Sequence, residues 1–206
     1  MGLEPHGLAV DPRTGCVFVS CTISHRVHVF RQNAGRMLTN LVRTIGRRGV
    51  GGGDFQYPLG ICLHHGCLVV ADSGNSRVQV LDTLGQFKHF MGFGTSCGVG
   101  QVRSLMLKRV FVASLRANEE KMIAWCLQLS RPTDVAVNRE ANIFVSDSGN
   151  HRVIAFNWEG QVVWLSTTRG AAQSLNLRYP CGLAFDFQQR MHRTRSNVTG
   201  TESERN

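Results

Sequence analysis

Runs of mostly apolar residues flank a short polar centre at three places in this chain of 206 residues. The stretches are "VFVSCTISHRVHVF" at 17–30, "LVVADSGNSRVQVL" at 68–81 and "IFVSDSGNHRVIAF" at 143–156, and they align without a gap. Apolar runs that flank such a centre predict β-hairpins. A fourth copy, "VFVASLRANEEKMIAW" at 110–125, fits when its turn takes two extra residues. Three steps separate Cys21 from Asp147, so the mean repeat is about 42 residues, the length of a four-stranded propeller blade.

A second pattern, a proline followed by a short apolar run, precedes the hairpins. Its copies are "PHGLAVD" at 5–11, "PLGICLH" at 58–64, "PTDVAVN" at 132–138 and "PCGLAFD" at 180–186. Proline cannot donate to a β-ladder, so it belongs at the start of a strand, and the apolar run suits a strand that is buried on both faces. Each leader therefore predicts the inner strand of a blade, at about 7–11, 60–64, 134–138 and 182–186.

The turn of two hairpins is the tetrapeptide Asp-Ser-Gly-Asn, at 72–75 and 147–150. Because glycine accepts positive φ and asparagine tolerates the left-handed region, we expect positive φ at the glycines. The aspartate and the following arginine should face each other as a partly exposed pair that fixes the register and contributes under about 1 kcal/mol. The predicted structural turn residues are Asp72, Gly74, Asn75, Arg77, Asp147, Gly149, Asn150 and Arg152.

Leaders, hairpins and the connector "IGRRGVGGGDFQYP" at 45–58 together resemble the NHL-repeat family of β-propellers. The resemblance extends over residues 5–186. Two units depart from the family pattern. The first turn has Cys21-Thr22-Ile23-Ser24 in place of Asp-Ser-Gly-Asn, and the segment 90–113 reaches its second strand without a leader that would predict an inner strand.

The resemblance implies an all-β fold, an NHL-repeat β-propeller of four blades plus a stub of a fifth, open or incomplete. We expect the propeller within residues 1–186, with blades at about 5–44, 45–90, 91–130 and 131–170 and the stub at 171–186. The segment 187–206 lacks apolar alternation, so we expect a disordered tail there.

Composition and charge narrow the partner class. The formal net charge is +9 and the sequence pI is about 9.8, which favours polyanionic partners. The seven cysteines show no Cys-x-x-Cys spacing, which is typical of reduced thiols. No apolar run is long enough for a membrane span, and the first residues lack the order of a signal peptide. We therefore expect a cytoplasmic protein without membrane contact.

Three stretches invite a chemical interpretation, and each has a structural alternative. The glycines at 46–53 could cradle a phosphate, but no Gly-Lys-Ser/Thr follows, so an inter-blade linker is favoured. "CLHHGC" at 62–67 lacks the spacing and the second ligand pair of a zinc site. Some secreted members of the wider propeller group are lyases with metal-bound channel histidines. Here only two leaders carry a histidine, His6 and His64. We predict no catalytic residues, no cofactor and no metal.

Arginines and tyrosines concentrate where the fold should gather the linkers and the turns. Arg26, Arg77 and Arg152 recur in register and are better explained as braces of their hairpins. The other arginines in these segments have no predicted ion-pair partner. Two tyrosines lie directly before leader prolines. Cations interleaved with aromatics suit stacking of single-stranded RNA or recognition of a protein. The candidate binding residues on this basic linker-bearing face are Arg43, Arg47, Arg48, Tyr57, Arg169, Arg178 and Tyr179.

The resemblance implies a non-catalytic macromolecular recognition module. We expect the substrate-recognition propeller of an NHL-type E3 ubiquitin ligase-related protein, whose ligase activity would need a RING domain that this sequence does not contain. The alternative is an RNA-binding propeller in post-transcriptional regulation, and a less favoured one is a peptidyl-amidating-lyase-like enzyme. Expected partners are a protein substrate or RNA on the basic face. Self-association through open blade edges is a further expectation.

Overall fold

The computed structural model describes residues 4–31, 40–92, 128–166 and 177–195, which form four antiparallel sheets in chain order. Blade I consists of β1 (Pro5–Asp11), β2 (Cys16–Cys21), β3 (Arg26–Arg31) and β4 (Asn40–Ile45). Blade II consists of β5 (Pro58–His64), β6 (Cys67–Asp72), β7 (Arg77–Asp82) and β8 (Phe87–Met91). Blade III consists of β9 (Pro132–Val137), β10 (Ile143–Asp147), β11 (Arg152–Phe156) and β12 (Val162–Leu165). Hairpin IV consists of β13 (Pro180–Phe185) and β14 (Met191–Arg195).

The leaders and the hairpins fold as the sequence predicts. Every leader forms the inner strand of its sheet, and each proline opens that strand. In blade II, Pro58 lies opposite Asp72, and the register shifts directly after the proline. The two Asp-Ser-Gly-Asn turns each contain a short 3-10 segment, at Ser73–Asn75 and Ser148–Asn150. The all-β prediction is therefore confirmed.

The core lies between sheets, because the central strands of a blade bury both of their faces. In β6, Leu68 and Val70 pack toward blade I, whereas Val69 and Ala71 pack toward blade III. Phe55, from the linker before blade II, is fully buried in the first of these cores. A smaller apolar cluster joins blade III to hairpin IV. Each blade thus depends on its neighbour for burial of its apolar surface.

Blades II and III are immediate neighbours. They share one apolar core, and their inner strands β5 and β9 are in contact. Asp134 fills the space that a Cβ on Gly60 would occupy, so the two inner strands approach closely. The third blade predicted at 91–130 lies largely outside the described residues. No strand of the described segments stands between blades II and III.

The prediction of disorder from residue 187 is wrong for residues 187–195. Met191–Arg195 forms β14 and pairs with β13, which gives the fifth unit two strands. The Asp186 carboxylate directs this reversal, because Oδ1 accepts hydrogen bonds from the amides of Gln188 at 2.9 Å and Arg190 at 2.8 Å. Met191 then packs on the cluster between blade III and hairpin IV. The remaining part of the predicted tail, 196–206, lies outside the described residues.

The sheets form an incomplete propeller, as the sequence predicts. On β1, Leu8 and Val10 are 61% and 51% exposed, because no described sheet covers that side of blade I. No helix in the described ranges has the length and apolar character needed to cross a membrane.

Candidate recognition face

One end of the blades collects the linkers and the turns, and we call it the linker face. Here each inner strand begins, and the second strand of each four-stranded blade turns into the third. The described segments on this face are 22–25, 46–57, 73–76, 128–131, 148–151 and 177–179. The opposite end carries the turns within the remaining hairpins, such as 12–15 and 138–142.

A buried aspartate organises the turn of blade II. Asp72 Oδ2 accepts hydrogen bonds from Arg77 Nε at 2.7 Å and from Asn75 Nδ2 at 2.8 Å. Its Oδ1 accepts the amide of Gln56 at 2.6 Å, which ties the linker to the turn. Burial raises the pKa of Asp72, and the hydrogen bonds and the charge of Arg77 oppose that rise. The carboxylate thereby joins three backbone segments.

Blade III repeats this arrangement with complete burial. Asp147 Oδ2 accepts from Arg152 Nε at 2.6 Å and from Asn150 Nδ2 at 2.8 Å, and Oδ1 accepts from the amide of Ser130 at 2.6 Å. Both side chains of the ion pair are 0% exposed. Burial raises the pKa of Asp147 as well. For blade III the expectation of a partly exposed pair is wrong, because the linker folds over the turn and excludes water from it.

The paired arginines also hold the linkers. Arg77 donates to the carbonyl oxygens of Val50 at 2.6 Å, Gly51 at 2.8 Å and Asp54 at 3.0 Å. Arg152 donates to the carbonyl oxygen of Gln128 at 2.8 Å. These two guanidinium groups are committed to the fold. In blade I, where Cys21 replaces the aspartate, Arg26 is exposed and no ion pair to it occurs in the described segments.

The glycines of the Asp-Ser-Gly-Asn turns are needed for close packing and not for the positive φ that the sequence predicts. Neither Gly74 nor Gly149 adopts positive φ; the left-handed residues are Ser76 and His151, one position after the tetrapeptide. Gly74 donates its amide to the carbonyl oxygen of Gln56, and a Cβ there would lie 2.9 Å from that oxygen. Glycine is required because the linker backbone passes directly against the turn.

Three equivalent contacts, which we call latches, join neighbouring sheets across the linker face. The amide of Tyr57 donates to His25 Nδ1 at 3.0 Å, and the amide of Tyr179 donates to His151 Nδ1 at 3.3 Å. The rings of each pair meet edge to face, at centroid distances of 4.7 Å and 4.3 Å. Between blades II and III the amide of Arg131 donates instead to Ser76 Oγ at 3.4 Å.

All six latch residues have left-handed backbone. The turn residues His25, Ser76 and His151 have φ of 56°, 50° and 54°, and the residues before the leader prolines have φ of 48°, 46° and 46° for Tyr57, Arg131 and Tyr179. This conformation costs about 1–2 kcal/mol for a residue other than glycine, so the surrounding contacts must hold it in place. Its repetition directs Tyr57, Arg131 and Tyr179 outward at equivalent positions.

The structure separates the predicted binding residues into distinct environments. Arg48, Arg178, Tyr57 and Tyr179 lie exposed on the linker face. Arg47 is exposed but pairs with Asp54 at 3.0 Å, so it has a partner that the sequence pattern does not predict. Arg43 is half-buried within β4 instead of lying in the linker. Arg169 lies outside the described residues.

Arg131 belongs to this surface, and sequence reasoning missed it. It is exposed and occupies the position equivalent to Tyr57 and Tyr179. The sequence does contain a signal for it, because Arg131 directly precedes the leader proline Pro132, just as the two tyrosines precede theirs.

The inner strands line a cavity of about 630 Å³ on the channel side of the blades. Asp134 lies there and accepts the amides of Leu183 at 2.7 Å and Val135 at 2.9 Å, while burial raises its pKa. His6 lines the cavity, whereas His64 lies at the far end of β5, where its ring contacts Trp158. The two leader histidines are thus not brought together. The described segments hold no group of three metal-ligating side chains.

Comparison with known proteins identifies the repeat. The NHL repeat family matches residues 55–81 and 129–156, which correspond to parts of blades II and III with their linkers. The human E3 ubiquitin-protein ligase NHLRC1 is 32% identical over 91 residues, which cover 44% of this chain and 22% of that protein. The rat protein of the same name is 33% identical over the same length. The chain therefore spans about a fifth of the curated relatives that it matches.

Solved structures share the fold. A chain of a nidogen/laminin complex superimposes with a TM-score of 0.61 at 16% identity, covering 94% of this chain and 57% of that one. A streptogramin B lyase superimposes with a TM-score of 0.55 at 12% identity, covering 92% of this chain and 47% of that one. The first of these structures is a protein complex and the second is an enzyme. The similarity therefore indicates a shared fold and no particular activity.

Proposed function

From the premise that this chain is an NHL-repeat protein folded as part of a β-propeller, we propose that it is the substrate-recognition propeller of an E3 ubiquitin ligase-related protein. NHL repeats and the similarity to NHLRC1 support a recognition module. The observation that carries the proposal is the linker face, where exposed arginines and tyrosines stand on loops held by buried ion pairs.

The composition of this face suits a macromolecular contact. Tyrosine and arginine are enriched among the residues that contribute most to protein interfaces, because they provide large contact area and hydrogen bonds. Arg48, Arg131 and Arg178 project from it, while the nearby Asp72 and Asp147 are buried and neutralised by their arginines. An acidic protein surface is the matching partner.

We propose a non-catalytic role for the channel cavity. The carboxylate of Asp134 already accepts two backbone amides, and it lies at the join between blade III and hairpin IV. A carboxylate in this position stabilises the packing of inner strands.

Substrate recognition can be tested by fusing the full chain to an active RING domain and mapping ubiquitylated lysines by mass spectrometry. We expect a set of proteins to be modified by the wild-type fusion and lost with Arg48→Glu/Arg131→Glu. The matched control, Arg13→Glu/Arg139→Glu, changes the charge equally on the opposite face and should retain that set. Equal modification by both variants would contradict the proposal.

RNA binding is a second candidate, because the same face interleaves cations with exposed tyrosines. If Arg48, Arg131 and Arg178 each neutralise one phosphate, log affinity for single-stranded RNA should fall with log salt at a slope of about −2. Filter binding with Tyr57→Ala should show a loss of about 1–3 kcal/mol of stacking. RNA retention that is unchanged in Arg48→Glu/Arg131→Glu would eliminate this candidate.

A further inference from the structure

Two of the latches depend on the protonation state of a histidine ring. A backbone N–H can only donate, so Nδ1 of His25 and of His151 must carry a lone pair in this structure. An imidazolium has protons on both ring nitrogens and cannot accept such a bond. The latch hydrogen bond therefore requires a neutral ring that carries its proton on Nε2.

We propose that His25 and His151 are positioning residues that hold Tyr57 and Tyr179 on the linker face while neutral, and release them when the imidazoles gain a proton. Protonation places a hydrogen on Nδ1 directly opposite the tyrosine amide, which removes the latch hydrogen bond and sets two donors against each other. The consequence goes beyond the proposed function, because the latch joins adjacent sheets whether or not a partner is bound.

The left-handed backbone explains why the effect should reach the tyrosines. Tyr57 and Tyr179 have φ of 48° and 46°, and their amides are held by the histidine nitrogens. When that bond is lost, the backbone is free to relax toward the more favourable negative φ. The exposed rings then leave the positions at which they lie against His25 and His151.

The charges around His25 oppose its protonation. Its pKa lies below the ordinary value because the ring is buried and because Arg48 lies nearby, while Asp72 acts in the opposite direction. Arg26 adjoins the ring in sequence, and Asp72 is paired with Arg77. A lowered pKa means that the folded state binds fewer protons than the unfolded chain. The contribution of this latch is therefore complete above a pH of about 6.5 and is lost as the pH falls below that value.

His151 has a different electrostatic environment. The neighbouring Arg152 is paired with the buried Asp147, so these two charges compensate each other. The Tyr179 ring lies against His151, the exposed Arg178 precedes Tyr179 in sequence, and the His151 ring itself is exposed. Water reaches this imidazole more easily than it reaches His25, which is 8% exposed.

The latch between blades II and III provides an internal comparison. Ser76 holds the amide of Arg131 through a hydroxyl, which does not titrate in this pH range, on the same left-handed backbone. The same chain therefore uses two acceptors for this hydrogen bond, a histidine nitrogen or a serine hydroxyl. Only the bond to histidine is expected to break on acidification.

Two measurements on the full chain test the proposal. Long-range proton–nitrogen NMR of the histidine rings at pH 7.5 should show His25 and His151 with the proton on Nε2. The protection factors of the Tyr57 and Tyr179 amides, taken relative to the intrinsic exchange rate at each pH, should fall as these rings become doubly protonated. A dominant Nδ1–H form of His25 and His151 at pH 7.5 would overturn the proposal, and this result requires no variant to fold.

Thermal unfolding of variants supplies the second measurement. Asparagine tolerates left-handed backbone and offers an oxygen acceptor that does not titrate, so His25→Asn/His151→Asn should keep its Tm at pH 7.5 within about 3 °C of wild type. Between pH 7.5 and 5.5 its Tm should fall by about 3 °C less than that of wild type. His25→Ala/His151→Ala should lose stability at both pH values, and Ser76→His should increase the pH dependence. Equal Tm losses on acidification in wild type and the Asn variant would overturn the proposal.

Discussion

At the scale of single residues, the linker face is held by ion pairs whose contribution to stability depends on how deeply they are buried. Arg152 recurs in register with Arg26 and Arg77, but it alone of the three has a fully buried side chain paired with a fully buried carboxylate. Removing one member of such a pair leaves a charge in an environment from which water is excluded. A pair of the same composition on the surface contributes far less.

Replacing Asp147 by Asn should lower the free energy of unfolding by about 3–5 kcal/mol, because Arg152 would keep its buried charge without a counter-ion. The control is Arg47→Gln, which removes an ion pair whose arginine is 77% exposed and should cost under about 1 kcal/mol. Urea denaturation followed by fluorescence provides both values. A loss below about 1 kcal/mol for Asp147→Asn would show that the pair acts like a surface one.

At the scale of elements, the strands differ in how many neighbours support them. β6 lies between β5 and β7 and packs against sheets on both sides, whereas β14 has a single paired strand, β13, among the described residues. Local opening requires less free energy where fewer buried contacts and hydrogen bonds are lost. Hairpin IV should therefore open independently of blades II and III.

Native-state hydrogen exchange should show this difference directly. The amides of β6 are expected to exchange only through global unfolding, and the paired amides of β14 to exchange orders of magnitude faster. β10, the equivalent of β6 in blade III, is the internal control and should be as protected as β6. Equal protection of β14 and β6 would mean that hairpin IV belongs to the same cooperative unit.

At the scale of the whole molecule, the sheets that the structure describes leave apolar surface exposed at blade I. Leu8 and Val10 on β1 are mostly exposed, and so is Leu41 on β4. Exposed apolar patches and open strand edges promote association. The net charge of +9 opposes it through repulsion between copies.

We predict that the 206-residue chain self-associates in a manner that depends on concentration and is enhanced by salt, since salt screens the repulsion. Leu8→Lys/Val10→Lys should shift sedimentation velocity profiles toward the monomer. Leu84→Lys, at a residue that is 64% exposed in a turn of blade II, is the control and should leave association unchanged. A monomeric wild-type chain at every concentration and salt level would contradict the prediction.

The sequence by itself determined the repeating unit. Proline at the start of each inner strand, apolar runs along the hairpins and Asp-Ser-Gly-Asn at two turns are local signals, because strand formation and turn chemistry depend on a few neighbouring residues. Those signals sufficed for the inner strands that begin at Pro5, Pro58, Pro132 and Pro180, and they also marked Tyr57 and Tyr179 by their place before a proline. These local signals did not predict the strand at 191–195. That strand depends on the hydrogen bonds of Asp186 in the turn and on the packing of Met191 against the apolar cluster beside blade III.

Only the tertiary structure decided what lies against each turn. The linker that covers Asp147 comes from 17 positions earlier in the chain, so neither the burial of Arg152 nor the crowding at Gly74 can be derived from neighbours in sequence. The same holds for the latches, which join residues 32 and 28 positions apart, and for the contact of blade II with blade III. Burial and cross-blade hydrogen bonds depend on how repeats stack, and stacking is a property of the assembled sheets, whereas the individual hairpin is a property of its own residues.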